Sequence, residues 1–361
     1  MKAEADFQSP LLAIRADGNA SIGMGHMMRT LAIAQAWKAR GGRVCYVTAD
    51  FLSSSARKRF LKEGIEMYFI SAVPGSEDDR EQTLTVLGKR KPARLLADGY
   101  AFHEAYQTAM RAKYPFGYID DTADLDFFDA DLLINPNAYA DALLYKGKCA
   151  QACLLTGPAF TLLRKEFWNF KRPARLDKGS GPIRILVTLG GGDLLNATLA
   201  ILNAFETLPS ENLEIRVIFG EENPHGEMLE KAIKKSEKNI TFLPAVDSLV
   251  PLMEWASIAV TGGGSTCWEM AYAGVPFLAI ILADNQKQIV SFLQSRGILI
   301  SLGEYNQQTP EKISATIHSL IFDPKKRAEM SRAGQSLIDG KGALRVADAL
   351  WNIQIPEKHP A

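Results

Sequence analysis

One of the chain's five histidines, His26, stands directly behind two glycines in the run "GMGH", residues 23–26, where an apolar strand pattern gives way to a helical one. A histidine in the first turn of a helix meets the positive end of the dipole. That disfavours the imidazolium and leaves a neutral ring able to accept a proton. Gly23 and Gly25 have no side chains, so a ligand such as a sugar can come within contact distance of the backbone there. Two more glycine runs occupy similar places, "LGGGD" at 189–193 and "TGGGST" at 261–266. Each lies between a strand pattern and a helical one, and the open amides of a helix start attract phosphate. Gly191 and Gly192 in the first run, and Gly264, Ser265 and Thr266 in the second, are therefore candidate diphosphate contacts. Neither run is a P-loop, because the Gly-Lys-Ser/Thr ending is missing, and Met28 stands where a dinucleotide fingerprint needs a third small residue.

Other residues surround these runs. Glu269, three positions after Thr266, either closes a capping box at its helix start or accepts hydrogen bonds from the vicinal hydroxyls of a ribose. Asp17 in "IRADG" is either a turn residue or a carboxylate that orients His26 or binds a sugar hydroxyl. Tyr100 is a candidate sugar contact in the catalytic set. Arg29, one helical turn beyond His26, faces a sugar phosphate or solvent. Asn285 and Gln286 offer amides to acetamido or hydroxyl groups. Asp120 and Asp121 are adjacent on a strand end, so their side chains diverge and make no glycosidase-type pair. The remaining histidines, at 103, 225, 318 and 359, have no comparable setting. Cys149 and Cys153 have no second pair to complete a zinc site, and neither a metal nor an organic cofactor is expected.

The elements that must position these groups are legible as alternating strands and helices. Seven apolar runs, from "LLAIRAD" to "ACLLTG", precede the basic, Gly- and Pro-containing stretch "WNFKRPARLDKGSGP" at 168–182; six more, from "IRILVTLGG" to "GILISLG", follow it. Most are apolar throughout, as befits parallel strands covered on both faces. Two Rossmann-like α/β domains are thus expected, at 1–170 and 180–361, their sheets facing across a cleft. Three helical segments follow Gly303, and the last, "ALRVADALWNIQ", is able to return to the first domain. Of the 361 residues 41 are basic, 41 acidic and 47% hydrophobic, which fits two sizeable cores and excludes a charge-driven nucleic-acid or anionic-membrane partner. The start, "MKAEADFQSP", lacks an apolar signal core, and glycines and Glu269 interrupt the apolar stretch at 256–283. A cytoplasmic protein without an integral membrane segment is expected.

The stretch "GGGSTCWEMAYAGVPFLAI", with "DNQ" at 284–286, resembles the nucleotide-binding domain of GT-B glycosyltransferases of the MurG type. In order, "IRADGNASIGMGHMMRTLAIA", "LLADGYAF", "GYIDD", "LLINPNAYA" and "LLTGPAFTLLRKEF" resemble the hydrolase family of the pseudaminic acid pathway, which removes UDP from a 2,4-diacetamido-2,4,6-trideoxy sugar. Proteins of spore-coat polysaccharide synthesis share the pattern, and the likeness spans about residues 12 to 290. Where that family commonly reads Asp-His-Tyr-Gly, this chain reads Asp98-Gly99-Tyr100. The resemblance implies a GT-B fold, Glu269 on the ribose, Gly264, Ser265 and Thr266 on the diphosphate, the segment "FLPAVDSLVPLM" at 242–253 as base pocket with Phe242, Val246 and Leu249 as candidates, Asn285 in the site and His26 as base. The implied reaction is attack of water on C1 with inversion and release of UDP. Two alternatives share these motifs: transfer of the sugar to an acceptor, and binding of a nucleotide sugar without turnover.

Overall fold

The computed structural model describes residues 9–18, 23–50, 52–149, 152–171, 181–190, 193–208, 212–220 and 223–353. Gly191 and Gly192 lie outside them. The chain divides into one unit of Met1–Trp168 with Gly340–Ala361 and a second of Asn169–Asp339.

In the first unit, β1 (Leu11–Ala16), β2 (Arg43–Ala49), β3 (Glu66–Ile70), β4 (Arg94–Asp98), β5 (Phe116–Ile119), β6 (Leu132–Asn135) and β7 (Cys153–Thr156) form one sheet. Its order is β3-β2-β1-β4-β5-β6-β7 and every pairing is parallel. All seven runs read from the sequence become strands. The helices are α1 (Gly25–Ala39), α2 (Ser54–Lys62), α3 (Glu77–Arg90) and α4 (Glu104–Arg111). Along α1, Met27, Leu31, Ala34 and Trp37 pack into the core with Leu12, Ile14, Tyr46 and Leu96, while Ala32 and Ala36 face another way. A helix apolar all round needs cover on both sides.

The second unit repeats the plan with β8 (Ile183–Thr188), β9 (Leu213–Ile218), β10 (Ile240–Leu243), β11 (Ile258–Gly262), β12 (Phe277–Ile281) and β13 (Leu299–Glu304), ordered β10-β9-β8-β11-β12-β13 and all parallel. Its helices are α5 (Ala197–Glu206), α6 (Gly226–Lys235), α7 (Val250–Trp255), α8 (Thr266–Ala273), α9 (Lys287–Ser295), α10 (Pro310–Ile321) and α11 (Pro324–Leu337). Gly274 ends α8 in the left-handed region at φ +67°, and a Cβ there would strike the Gln335 side chain on α11.

The last helix, α12 (Gly342–Asn352), corrects the expected boundary at 180–361: it belongs to the first unit. Ala343 and Ala347 close on Ala32 and Ala36 of α1, which supplies the missing cover. Arg94, opening β4, donates to the carbonyls of Leu350, Trp351 and Ile353 and so satisfies the orphan groups at the end of α12. Among the described residues no helix is long and apolar enough to cross a membrane.

Candidate active site

In a parallel sheet the loops leaving the strands share one rim, and register decides which residues meet there. Ala16 ending β1 pairs with Asp98 ending β4, Asp98 pairs with Ile119 ending β5, and Ile119 pairs with Ile134 near the end of β6. Asp98, Asp121 and Asn137 therefore emerge beside the turn that starts α1. His26 Nδ1 lies 2.8 Å from Asp98 Oδ1. Arg29 forks onto the same carboxylate, with Nε at 2.7 Å from Oδ2 and Nη2 at 2.6 Å from Oδ1, and its Nη1 reaches Asp121 Oδ1 at 2.6 Å. Asp121 also accepts from the Tyr100 hydroxyl at 2.9 Å and from Asn137 Nδ2 at 2.8 Å. The Tyr100 ring meets the imidazole edge-on, 4.8 Å between centroids.

Burial alone would raise the Asp98 carboxyl, but Arg29 and His26 outweigh it and hold the group down at about 2. Asp121 is likewise lowered, by Arg29 against its desolvation. Facing an ionised carboxylate at 2.8 Å, Nδ1 must carry the ring proton and donate it. The lone pair is then on Nε2, which has no hydrogen-bond partner among the described residues. Gly23 adopts φ +76°, and a Cβ on Gly23 or Gly25 would meet nothing within 4 Å, so the backbone beside the histidine is bare as its glycines imply.

Asp17 is a correction. It accepts from Arg15 Nη1 at 2.6 Å and from the Ala49 amide at 2.7 Å, within a buried set in which Arg15 also pairs with Asp79. Asp98, from a strand 72 positions on from His26, orients the ring instead. Arg29 is corrected as well: its guanidinium is committed to two carboxylates rather than offered to a sugar phosphate or to solvent. Asp120 and Asp121 diverge as their adjacency requires, Asp120 accepting from the Tyr145 hydroxyl at 2.6 Å.

In the second unit the two glycine runs differ. Asp193, at φ +34°, accepts the amides of Ala197 and Thr198 at 2.9 and 2.8 Å, so the start of α5 already holds a carboxylate. At α8 the opposite holds. Ser265 makes no side-chain cap, which removes half of the capping-box alternative for Glu269, and among the described residues the amides of Gly264, Ser265 and Thr266 donate to nothing. Glu269 is half-buried on the first turn of that helix. Gln286 Oε1 accepts the amides of Gly263 and Leu282, both at 3.0 Å, and so holds the triple-glycine turn. Asn285 is exposed on the same short turn. Phe242 stacks on Phe219 at 4.2 Å, and these rings floor a groove of about 1270 Å³ between α5 and α6; Val246 is half-buried in the loop beyond. Burial pushes the Cys267 thiol well up, which makes it inert.

With this geometry in hand, residues 184–344 match the family model of the glycosyltransferase family 28 C-terminal domain. The spore coat polysaccharide biosynthesis protein SpsG of Bacillus subtilis is 23% identical over 354 residues, covering 95% of this chain and 98% of its own. The UDP-2,4-diacetamido-2,4,6-trideoxy-beta-L-altropyranose hydrolase of Campylobacter jejuni is 23% identical over 288 residues, covering 78% of this chain and 96% of its own. Among solved structures, MurG of Acinetobacter baumannii superposes with a TM-score of 0.66 at 15% identity, over 95% of this chain and 99% of that one. Two parallel sheets with flanking helices, matched at that level over nearly the whole length, give this chain the GT-B fold.

Proposed function

We propose that the chain hydrolyses a UDP-activated acetamido-deoxy sugar. Water attacks C1, the bond from C1 to the phosphate oxygen breaks with its electrons leaving on UDP, and the water proton passes to His26 Nε2. A single displacement inverts C1. The observation that carries this reading is the 2.8 Å contact of His26 Nδ1 with Asp98, which favours the tautomer whose lone pair is on Nε2. Likeness to the Campylobacter jejuni hydrolase supports it. UDP is a good leaving group, so what it needs most is stabilisation of growing charge, and the three open amides at the start of α8 suit that, with Glu269, on the same first turn, as the ribose contact.

Transfer of the sugar to an acceptor hydroxyl uses the same base and the same diphosphate site. The match to a glycosyltransferase domain favours that second reading. Incubation with a panel of UDP-2-acetamido and UDP-2,4-diacetamido sugars, with and without added acceptors, separates the two. Hydrolysis predicts UDP release at equal rates in both arms for at least one sugar. Release only in the presence of an acceptor makes the protein a transferase, and binding without release in either arm removes the enzyme reading.

A further inference from the structure

Beside a group that must take up a proton, a fixed cation needs a reason. Arg29 Nη2 lies 3.1 Å from His26 Nδ1, although both nitrogens donate to the same oxygen of Asp98. Among the described residues the charged groups facing the imidazole are Asp98 at the end of β4, Asp121 beyond β5 and Arg29 on α1 itself, and Tyr100 adds a neutral hydroxyl. Two nearly buried carboxylates without a counter-ion would draw a proton onto the ring and hold it there, and a protonated imidazole cannot accept another. With the guanidinium in place the surroundings keep one net negative charge, enough to stabilise the imidazolium as it forms.

We infer that Arg29 is a positioning residue that balances the charge of the Asp98–Asp121 pair, so that His26 waits uncharged for its substrate. This rests on His26 being the base. Arg29 touches no substrate in this scheme; it acts through the two carboxylates, and the fork geometry fixes Asp98 against Nδ1 as well as neutralising it. Tyr100, 47% exposed and donating to Asp121, is where this network reaches the surface.

The test is an NMR titration of histidine-labelled protein without substrate, the His26 signals assigned by their loss in His26→Gln. Removing the positive charge in Arg29→Gln is expected to move the ring's titration midpoint up, and removing a negative one in Asp121→Asn to move it down. Arg29→Lys, which keeps the charge and loses the fork, is expected to restore the midpoint while kcat stays low. In turnover, Arg29→Gln should lose about tenfold or more at neutral pH and regain activity as pH is raised, a recovery that a purely structural defect would not show. Midpoints that move the same way in Arg29→Gln and Asp121→Asn, or that stay put in both, overturn the inference. If Arg29→Gln does not fold, Arg29→Lys and Asp121→Asn give the answer. The spectra need no sugar, so failure of the hydrolase reading would leave them unchanged and is seen separately as absence of turnover.

Discussion

Glutamine at position 26 keeps a polar side chain of similar reach and removes the basic nitrogen. His26→Gln is therefore expected to lower turnover by about 10²-fold or more while calorimetry finds UDP affinity unchanged. Glu269→Ala should do the reverse, weakening UDP strongly. Equal loss of affinity in both variants contradicts the division of labour. Asp98→Asn should cost activity through the wrong tautomer, about 10² to 10⁴-fold. Asp98 also ties stability to acid. Its carboxyl sits at about 2 in the folded chain against about 3.9 unfolded, so the stability it adds is complete above the unfolded value and is lost as pH falls through the folded one. Urea unfolding between those limits should show that loss in the native protein and a smaller one in Asp98→Asn. His26 could be picked out by sequence because its glycines and helix start are local features. Asp98 could not, since its partnership depends on β4 lying next to β1, whereas Asp17 is near in sequence and turned elsewhere. The signal for Asp98 is an acid at the end of an apolar run, "RLLAD", which puts it on the rim where strands end without saying which strand lies beside it.

Elements explain why two similar glycine runs are not equivalent. A Cβ on Gly263 would fall 2.6 Å from Val290 and 2.9 Å from Gln286, whereas one on Gly25 would meet nothing. Gly263→Ala is thus expected to destabilise the second unit by about 1–3 kcal/mol in denaturant unfolding. Gly25→Ala should leave unfolding nearly unchanged and raise KM, because the methyl occupies space the sugar needs. A comparable loss of stability at Gly25 would mean that the open backbone there has a folding role. All thirteen strand runs were legible, most of them because a strand covered on both faces is apolar throughout. Which helix start remained open was less plain. Asp193 follows its glycines directly, and an acid just before a helix is a capping signal, so the difference from "GGGST" was present in the sequence but masked by the shared glycines.

At the scale of the whole molecule, α12 returns to the first unit and covers the α1 helix that carries His26. Leu350 is fully buried there, and Leu350→Ala should cost about 2–5 kcal/mol, seen as earlier unfolding of the first unit. Indifference to that change would separate α12 from the integrity of the catalytic helix. The amphipathic run at 343–354 foretold a helix without naming its partners, which are the Ala32 and Ala36 face of α1 and the first-unit core that takes Val346 and Leu350. The chemistry itself is tested most directly by following a turned-over UDP-acetamido sugar in ¹⁸O-water. Water attack at C1 places the label on the inverted anomeric carbon of the free sugar and leaves UDP unlabelled. Label in the phosphate of UDP, or a sugar recovered only on an acceptor, would contradict the account.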